Sequence, residues 1–242
     1  MSGWNRPSGT SFLRGPSVSQ SLSAPQVGQY TGGMKKHFPI IEDGIIAGNL
    51  YDKYGARNPI AKWLVRGFLA AFEELTFMAG VSDVHEVGCG EGYLTAYLAK
   101  KFTNVRASDI SCQVIEKARD FAMKNALSVR FKVSSIYNLT PKEDKAELVV
   151  CCEVLEHLED PRRALKILSD LAKPYLLVSV PREPIWRILN ITRGSYLMRL
   201  GNTPGHLQHW SKESFLRMVD ASAHVEKVLT PLPWTMALCR VR

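Results

Sequence analysis

From residue 84 onward the chain alternates short β-rich runs with amphipathic helical stretches, and that alternation leaves few folds open. Apolar and β-branched residues dominate 84–87, 105–110, 129–134, 147–154 and 175–181. Between them, 93–102, 112–125 and 160–172 carry apolar residues at helical spacing, the last opened by Asp160 and Pro161. Strands joined through helices need crossover connections, which predicts an α/β fold with an open, mostly parallel, doubly wound sheet. A further helix is predicted over 211–222, with Ser211 as N-cap and Ser214 three residues on. Runs at 225–231 and 236–242 share only a short proline-bearing link, too short for a crossover. They are expected to form an antiparallel pair at one edge.

Upstream, Ile60, Trp63, Leu64, Phe68 and Phe72 fall at helical spacing, with Asn58 as N-cap and Pro59 as first helical residue. Residues 1–36 are rich in Ser, Gly, Pro and Gln and show no apolar period, which predicts a disordered leader. The division expected is a leader at 1–36, an N-terminal helical cap at 37–80 and the main domain at 81–242.

No run of about 18 uncharged apolar residues occurs, so no membrane span is expected. The first residues show no compact apolar signal region. The cysteines are Cys89, Cys112, Cys151, Cys152 and Cys239; they form no C-x-x-C pair, and two sit inside an apolar run. That pattern suits reduced thiols and a cytoplasmic protein. The net charge of +8 permits an anionic partner without naming one.

Gly88, Gly90 and Gly92 follow the first main strand, at the switch point where a doubly wound sheet binds its ligand. A dinucleotide fingerprint needs glycine at 93, where this chain has Tyr93. Glu86 and Glu91 beside the loop would repel phosphates at a helix N-terminus. Asp109, about twenty residues on, can accept both hydroxyls of an adenosine ribose. The ligand expected is an adenosine that carries positive charge and no phosphate. S-adenosylmethionine (SAM) has that chemistry.

The stretches at 86–99, 107–111, 149–165 and 175–181 resemble, in order and spacing, the motifs of class I SAM-dependent methyltransferases, including small-molecule enzymes such as ubiquinone-pathway O-methyltransferases. The resemblance covers roughly residues 50–220. It implies a Rossmann-like seven-stranded sheet in the order 3-2-1-4-5-7-6 with the last strand antiparallel. It implies that Glu86 holds the loop and, through water, the methionine ammonium. Gly88, Cys89 and Gly90 then form the backbone cradle, Asp109 holds the ribose, and Ile110 packs on the adenine. Ser135 and Ile136 match the pair at the adenine edge, with Ser135 where the family usually has Asp. Cys152 and Glu153 match the residues beside the methyl group. Tyr51 and Tyr54 resemble tyrosines that close over SAM.

Methyl transfer is an in-line displacement that asks the protein for position, a dry site and sometimes a base. His206 matches a histidine that many small-molecule methyltransferases place before the helix between strands five and six, and it is the first choice for a base or a substrate-orienting group. Glu153 and His157 are the other catalytic candidates. Glu153, Glu156 and His157 also resemble a stretch that binds a divalent metal in some relatives. The same letters occur in members without metal, and the metal-free reading is preferred.

Residues 182–210 are expected to form a helical lid over the acceptor. Arg182, Arg187, Arg193 and Arg199 dominate its charge, and Trp186, Tyr196 and Met198 add bulk. Such an amphipathic segment can lean on a membrane. The function expected is methyl transfer from SAM to a small molecule of phenolic or lipophilic, quinone-like type. The alternatives are an RNA methyltransferase, disfavoured by the lack of a basic–aromatic patch away from the lid, and a non-catalytic SAM-binding protein. The oligomeric state is left open.

Overall fold

The computed structural model describes Ile40–Glu42, Ile45–Ala47, and residues 58–192 and 196–241, with no side-chain description for 40–47 or for Leu197. The expected leader at 1–36, Tyr51, Tyr54 and Arg193 lie outside the described residues.

Within 37–80 the chain is not wholly helical. β1 (Ile40–Glu42) and β2 (Ile45–Ala47) pair antiparallel before helix α1 (Pro59–Ala79) begins. The Ile-rich runs on either side of Asp43 and Gly44 are too short for a helix and favour an extended pair. α1 starts as expected: the Asn58 side chain accepts from the Ile60 N–H at 2.8 Å, and Pro59 needs no donor there. It ends at Gly80, which takes a left-handed φ of 60°.

The main domain then runs β3 (Asp83–Val87), α2 (Tyr93–Ala99), β4 (Asn104–Asp109), α3 (Cys112–Lys124), β5 (Arg130–Val133), α4 (Pro141–Asp144), β6 (Ala146–Cys152), α5 (Pro161–Leu171), β7 (Ala172–Pro181), α6 (Ile185–Thr192), α7 (Lys212–Asp220), β8 (His224–Leu229) and β9 (Trp234–Arg240). The seven strands lie in the order β5-β4-β3-β6-β7-β9-β8. Counted within this sheet the order is 3-2-1-4-5-7-6. Only β9 runs antiparallel to its neighbours.

The sheet is packed on both faces. One core joins α5 and α7 to the sheet through Leu165, Leu168, Phe215 and Val178. The other joins α1 and α2 through Phe68, Phe72, Leu75, Leu98 and Leu148. The apolar stripe expected on α1 buries only from Phe68 onward. Ile60 and Trp63 are exposed: at about 100° per residue Trp63 projects well away from Phe72 and Leu75, whereas Ile60, in the first turn, lies before the buried stretch that begins at Phe68.

At the centre of the sheet, buried His85 on β3 has Nδ1 2.8 Å from the Asp144 carbonyl and Nε2 3.0 Å from Ser108 Oγ. An N–H at Nδ1 donates to the carbonyl, so neutral Nε2 accepts from the hydroxyl. Burial holds its pKa below the ordinary 6.5, helped by Arg106 and Lys132 and opposed by the Asp144 bond and charge. As pH falls below about 6.5 the unfolded chain takes up a proton that the folded imidazole resists, so this group's contribution to stability falls with pH. A urea titration of His85→Gln is expected to show a smaller loss of midpoint between pH 7.5 and 5.5 than the parent chain.

Candidate active site

The parallel strands bring the carboxyl ends of β3, β4, β6 and β7 to one edge. The glycine loop leaves β3 there and is stitched to the next strand. Gly88 N–H and Cys89 N–H both donate to the Ser108 carbonyl, at 2.8 and 3.1 Å. Gly90 N–H donates to Asp109 Oδ2 at 3.0 Å, and Ser111 N–H to Oδ1 at 3.1 Å. Asp109, expected to hold a ribose, is seen here to fix the loop. A carboxylate has about four acceptor positions, so acceptor capacity remains for a ligand. Burial raises the Asp109 carboxyl above its ordinary pKa, the Ser111 and Gly90 N–H groups pull it back, and Glu91 adds repulsion.

Gly88 stands at φ 78°, and a Cβ there would meet Val154 Cγ2 at 2.2 Å. Only glycine lets the loop pass the turn that follows β6. Buried Glu86 accepts from the Thr95 hydroxyl, which ties the end of β3 to α2. Cys89 is buried, and desolvation plus the Glu86 and Asp109 charges push its thiol well up, so it packs without reacting. Half-buried Ile110 follows Asp109 directly. Ser135 caps the single turn at Ile136–Asn138, its hydroxyl accepting from Tyr137 N–H at 3.3 Å, and Ile136 is buried.

On the acceptor side, Cys152 ends β6 and Glu153 follows at φ 60°. The Glu153 carboxylate takes Ser179 Oγ–H at 3.0 Å on Oε1 and Trp234 Nε1–H at 2.5 Å on Oε2. Trp234 opens β9 opposite Pro181 in the ladder, so the one antiparallel strand delivers its first residue to this edge. Its ring meets Phe68 edge-on at 5.0 Å and Trp186 at 5.9 Å.

The loop before α7 closes the other side. Leu207 and Gln208 N–H groups both donate to the Glu156 carbonyl, at 2.8 and 3.0 Å. His157 Nδ1 lies 2.9 Å from the Gly205 carbonyl, so its N–H sits there and Nε2 is left as the acceptor. His206 meets His157 edge-on at 4.9 Å and stacks on Trp186 at 5.8 Å. Trp186 is itself held by Thr203, whose hydroxyl accepts its indole N–H at 2.9 Å. Burial depresses His206 to about 3, with His157 and His209 adding repulsion. It is neutral at physiological pH and only weakly basic.

Glu156, His157 and His206 bring one ligand atom each within 4.8 Å of one another. Glu153, which the sequence grouped with Glu156 and His157, is turned to Ser179 and Trp234 instead. One carboxylate and two imidazoles are a donor set that first-row divalent ions accept.

The sequence missed three residues here. Ser179 lies in an ordinary strand, Thr95 on an ordinary helix, and Trp234 is 81 residues from its partner Glu153. None carried a signal beyond its place next to a motif.

A family model for a methyltransferase domain matches residues 64–222. The chain belongs to this family. A ubiquinone biosynthesis O-methyltransferase of Coxiella burnetii is 29% identical over 152 residues, 57% of this chain and 64% of its own length. The chain thus spans under two thirds of that curated relative. Magnesium protoporphyrin IX methyltransferase (ChlM) of Synechocystis PCC 6803, solved with bound SAH, superposes with a TM-score of 0.61 at 18% identity, over 79% of this chain and 94% of its own. The N-methyltransferase NodS of Bradyrhizobium japonicum WM9 gives 0.57 at 17% identity, over 74% and 96%. At these identities the two structures bear on the fold, which is that of class I methyltransferases.

In this methyltransferase the Gly88–Val154 approach sets a strict size limit. Gly88→Ala is expected to cost about 1–3 kcal/mol of stability from left-handed strain and overlap, read as a lower urea midpoint.

Proposed function

We propose that the chain transfers a methyl group from SAM to a small-molecule acceptor. The observation that carries this reading is Asp109. A buried carboxylate ends β4, bonds the glycine loop, and shares the site with Glu86 and Glu91. Such a site suits a ribose and a cationic amino-acid group and disfavours pyrophosphate. SAM supplies a methyl group on a positive sulfonium when bound. The chain's residues do the rest. The Gly88–Gly90 backbone and Asp109 fix the donor, while Ser135, Ile110 and Ile136 border the adenine end. Tyr51 and Tyr54 stay in the proposal as the residues that close over the donor.

On the acceptor side Trp186, Trp234 and His206 form an aromatic wall. That wall favours a planar acceptor such as a phenol or a quinone-like ring, and the name of the Coxiella relative is consistent with it. His206, half-buried against Trp186 and His157, is assigned to orient the acceptor, since a pKa of about 3 leaves it too weak a base to take the acceptor's proton at neutral pH. Glu153, locked by Trp234 and Ser179, is assigned to orient the acceptor and His157 to hold the His206 loop. A divalent ion, where the enzyme takes one, would be held by Glu156, His157 and His206 and would supply Lewis acidity toward a phenolic oxygen. Ile188, Ile191, Met198 and Leu200 are exposed beside Arg182, Arg187 and Arg199, which supports a lid that meets a lipid surface carrying the acceptor.

Asp109→Ala is expected to weaken SAH binding about 10- to 150-fold by calorimetry, the loss of a charged hydrogen bond or two. Unchanged affinity removes the ribose assignment. His206→Ala is expected to lower turnover on a panel of catechols and phenols at least tenfold through lost acceptor positioning, with SAH affinity nearly constant. Parental turnover in that variant ends its catalytic role.

A further inference from the structure

The outer face of α1 carries exposed aromatic and charged residues. The inner face, Phe68, Phe72, Leu75 and Ala79, is buried in the sheet core. On the opposite side, at about 100° per residue, Trp63, Arg66, Gly67, Ala70, Glu74 and Phe77 fall within an arc of roughly 100°. All six are exposed, Trp63 by 63% and Phe77 by 84%. Trp63 and Phe77 stand about 21 Å apart along this face, with one charged residue inside each of them.

The pattern is symmetric about Ala70. Trp63 and Phe77 lie seven residues to either side of it, and Arg66 and Glu74 four to either side. A second α1 laid antiparallel and crossing at Ala70 sets Trp63 against the partner's Phe77. The same crossing sets Arg66 against the partner's Glu74, and the two-fold axis makes each contact twice. Gly67 and Ala70 at the crossing are small enough for the axes to approach to about 8 Å.

The surroundings agree. A groove of about 340 Å³ lies between Trp63, Gly67 and Ala70 on the helix and Pro231 and Leu232 in the β8–β9 turn, and it offers a socket beside Trp63 for the partner's Phe77 ring. Glu74 has an intramolecular neighbour, Lys227 at 3.9 Å, but both are well exposed and such a pair holds the carboxylate weakly. A lipid or an unrelated peptide would have no use for opposite charges spaced evenly around a small residue.

We infer that the chain forms a two-fold homodimer through antiparallel packing of α1 centred on Ala70. The mass of the full chain in sedimentation velocity is expected to approach twice its 27.1 kDa. Arg66→Glu and Glu74→Arg, each alone, place like charges opposite one another and are expected to weaken the dimer at least tenfold (about 1.4 kcal/mol). The double variant R66E/E74R restores the pairs and is expected to recover most of that loss. Ala70→Arg, which fills the crossing point, is expected to give monomer with an unchanged circular dichroism melt of the monomeric fold. A parent chain that stays monomeric up to roughly 100 µM, far above the range of a specific interface, overturns the inference. So does a dimer that the single reversals leave unmoved, or a double variant as weak as the singles.

Discussion

Parallel pairing of β3 with both β4 and β6 is the constraint from which the rest follows. Parallel neighbours cannot be joined by a tight turn, so each connection must cross a face of the sheet. The helices that make those crossings supply the two cores. The same pairing brings the strand ends to one edge, where the loops after β3, β4 and β6 meet. The glycine loop then bonds β4 through Ser108 and Asp109, and its Gly88 packs under Val154 after β6. The site is thus a consequence of sheet register before it is a set of side chains.

Polar groups at that edge are nearly all committed to one another. Glu86 is held by Thr95, Asp109 by two backbone N–H groups, Glu153 by Ser179 and Trp234, and His157 by the Gly205 carbonyl. Burying charges without partners costs several kcal/mol. The network holds these side chains in fixed rotamers, so little reorganisation would be left for the reaction proposed.

The open, mostly parallel sheet was legible because period-2 and period-3.6 patterns alternate after residue 84, and the antiparallel edge pair because a short Pro-bearing link is too short for a crossover; the strand order came from the family resemblance. The residues expected at the donor end lie within a few positions of the glycine loop and of Asp109, so local spacing was enough to propose them. The acceptor half was not legible in that way. Trp234 reaches Glu153 across 81 residues, and His206 reaches Glu156 and His157 by a loop folding back, so no local spacing encodes either meeting. The hairpin at 40–47 was missed because three-residue strands carry too short an alternation. Trp63 was grouped with the wrong face of α1 because an apolar residue at helical spacing does not declare which side it serves.

β9 divides the molecule's inheritance in two. The residues proposed to hold the donor lie on or after strands that finish at the binding edge, whereas Trp234 comes from the one strand that starts there. A change in length or composition of the β8–β9 turn would re-aim that indole, and Glu153 with it, without disturbing any residue between Glu86 and Ile136. Under the proposed function, the acceptor side can therefore be altered through a single hairpin while the donor side keeps its geometry.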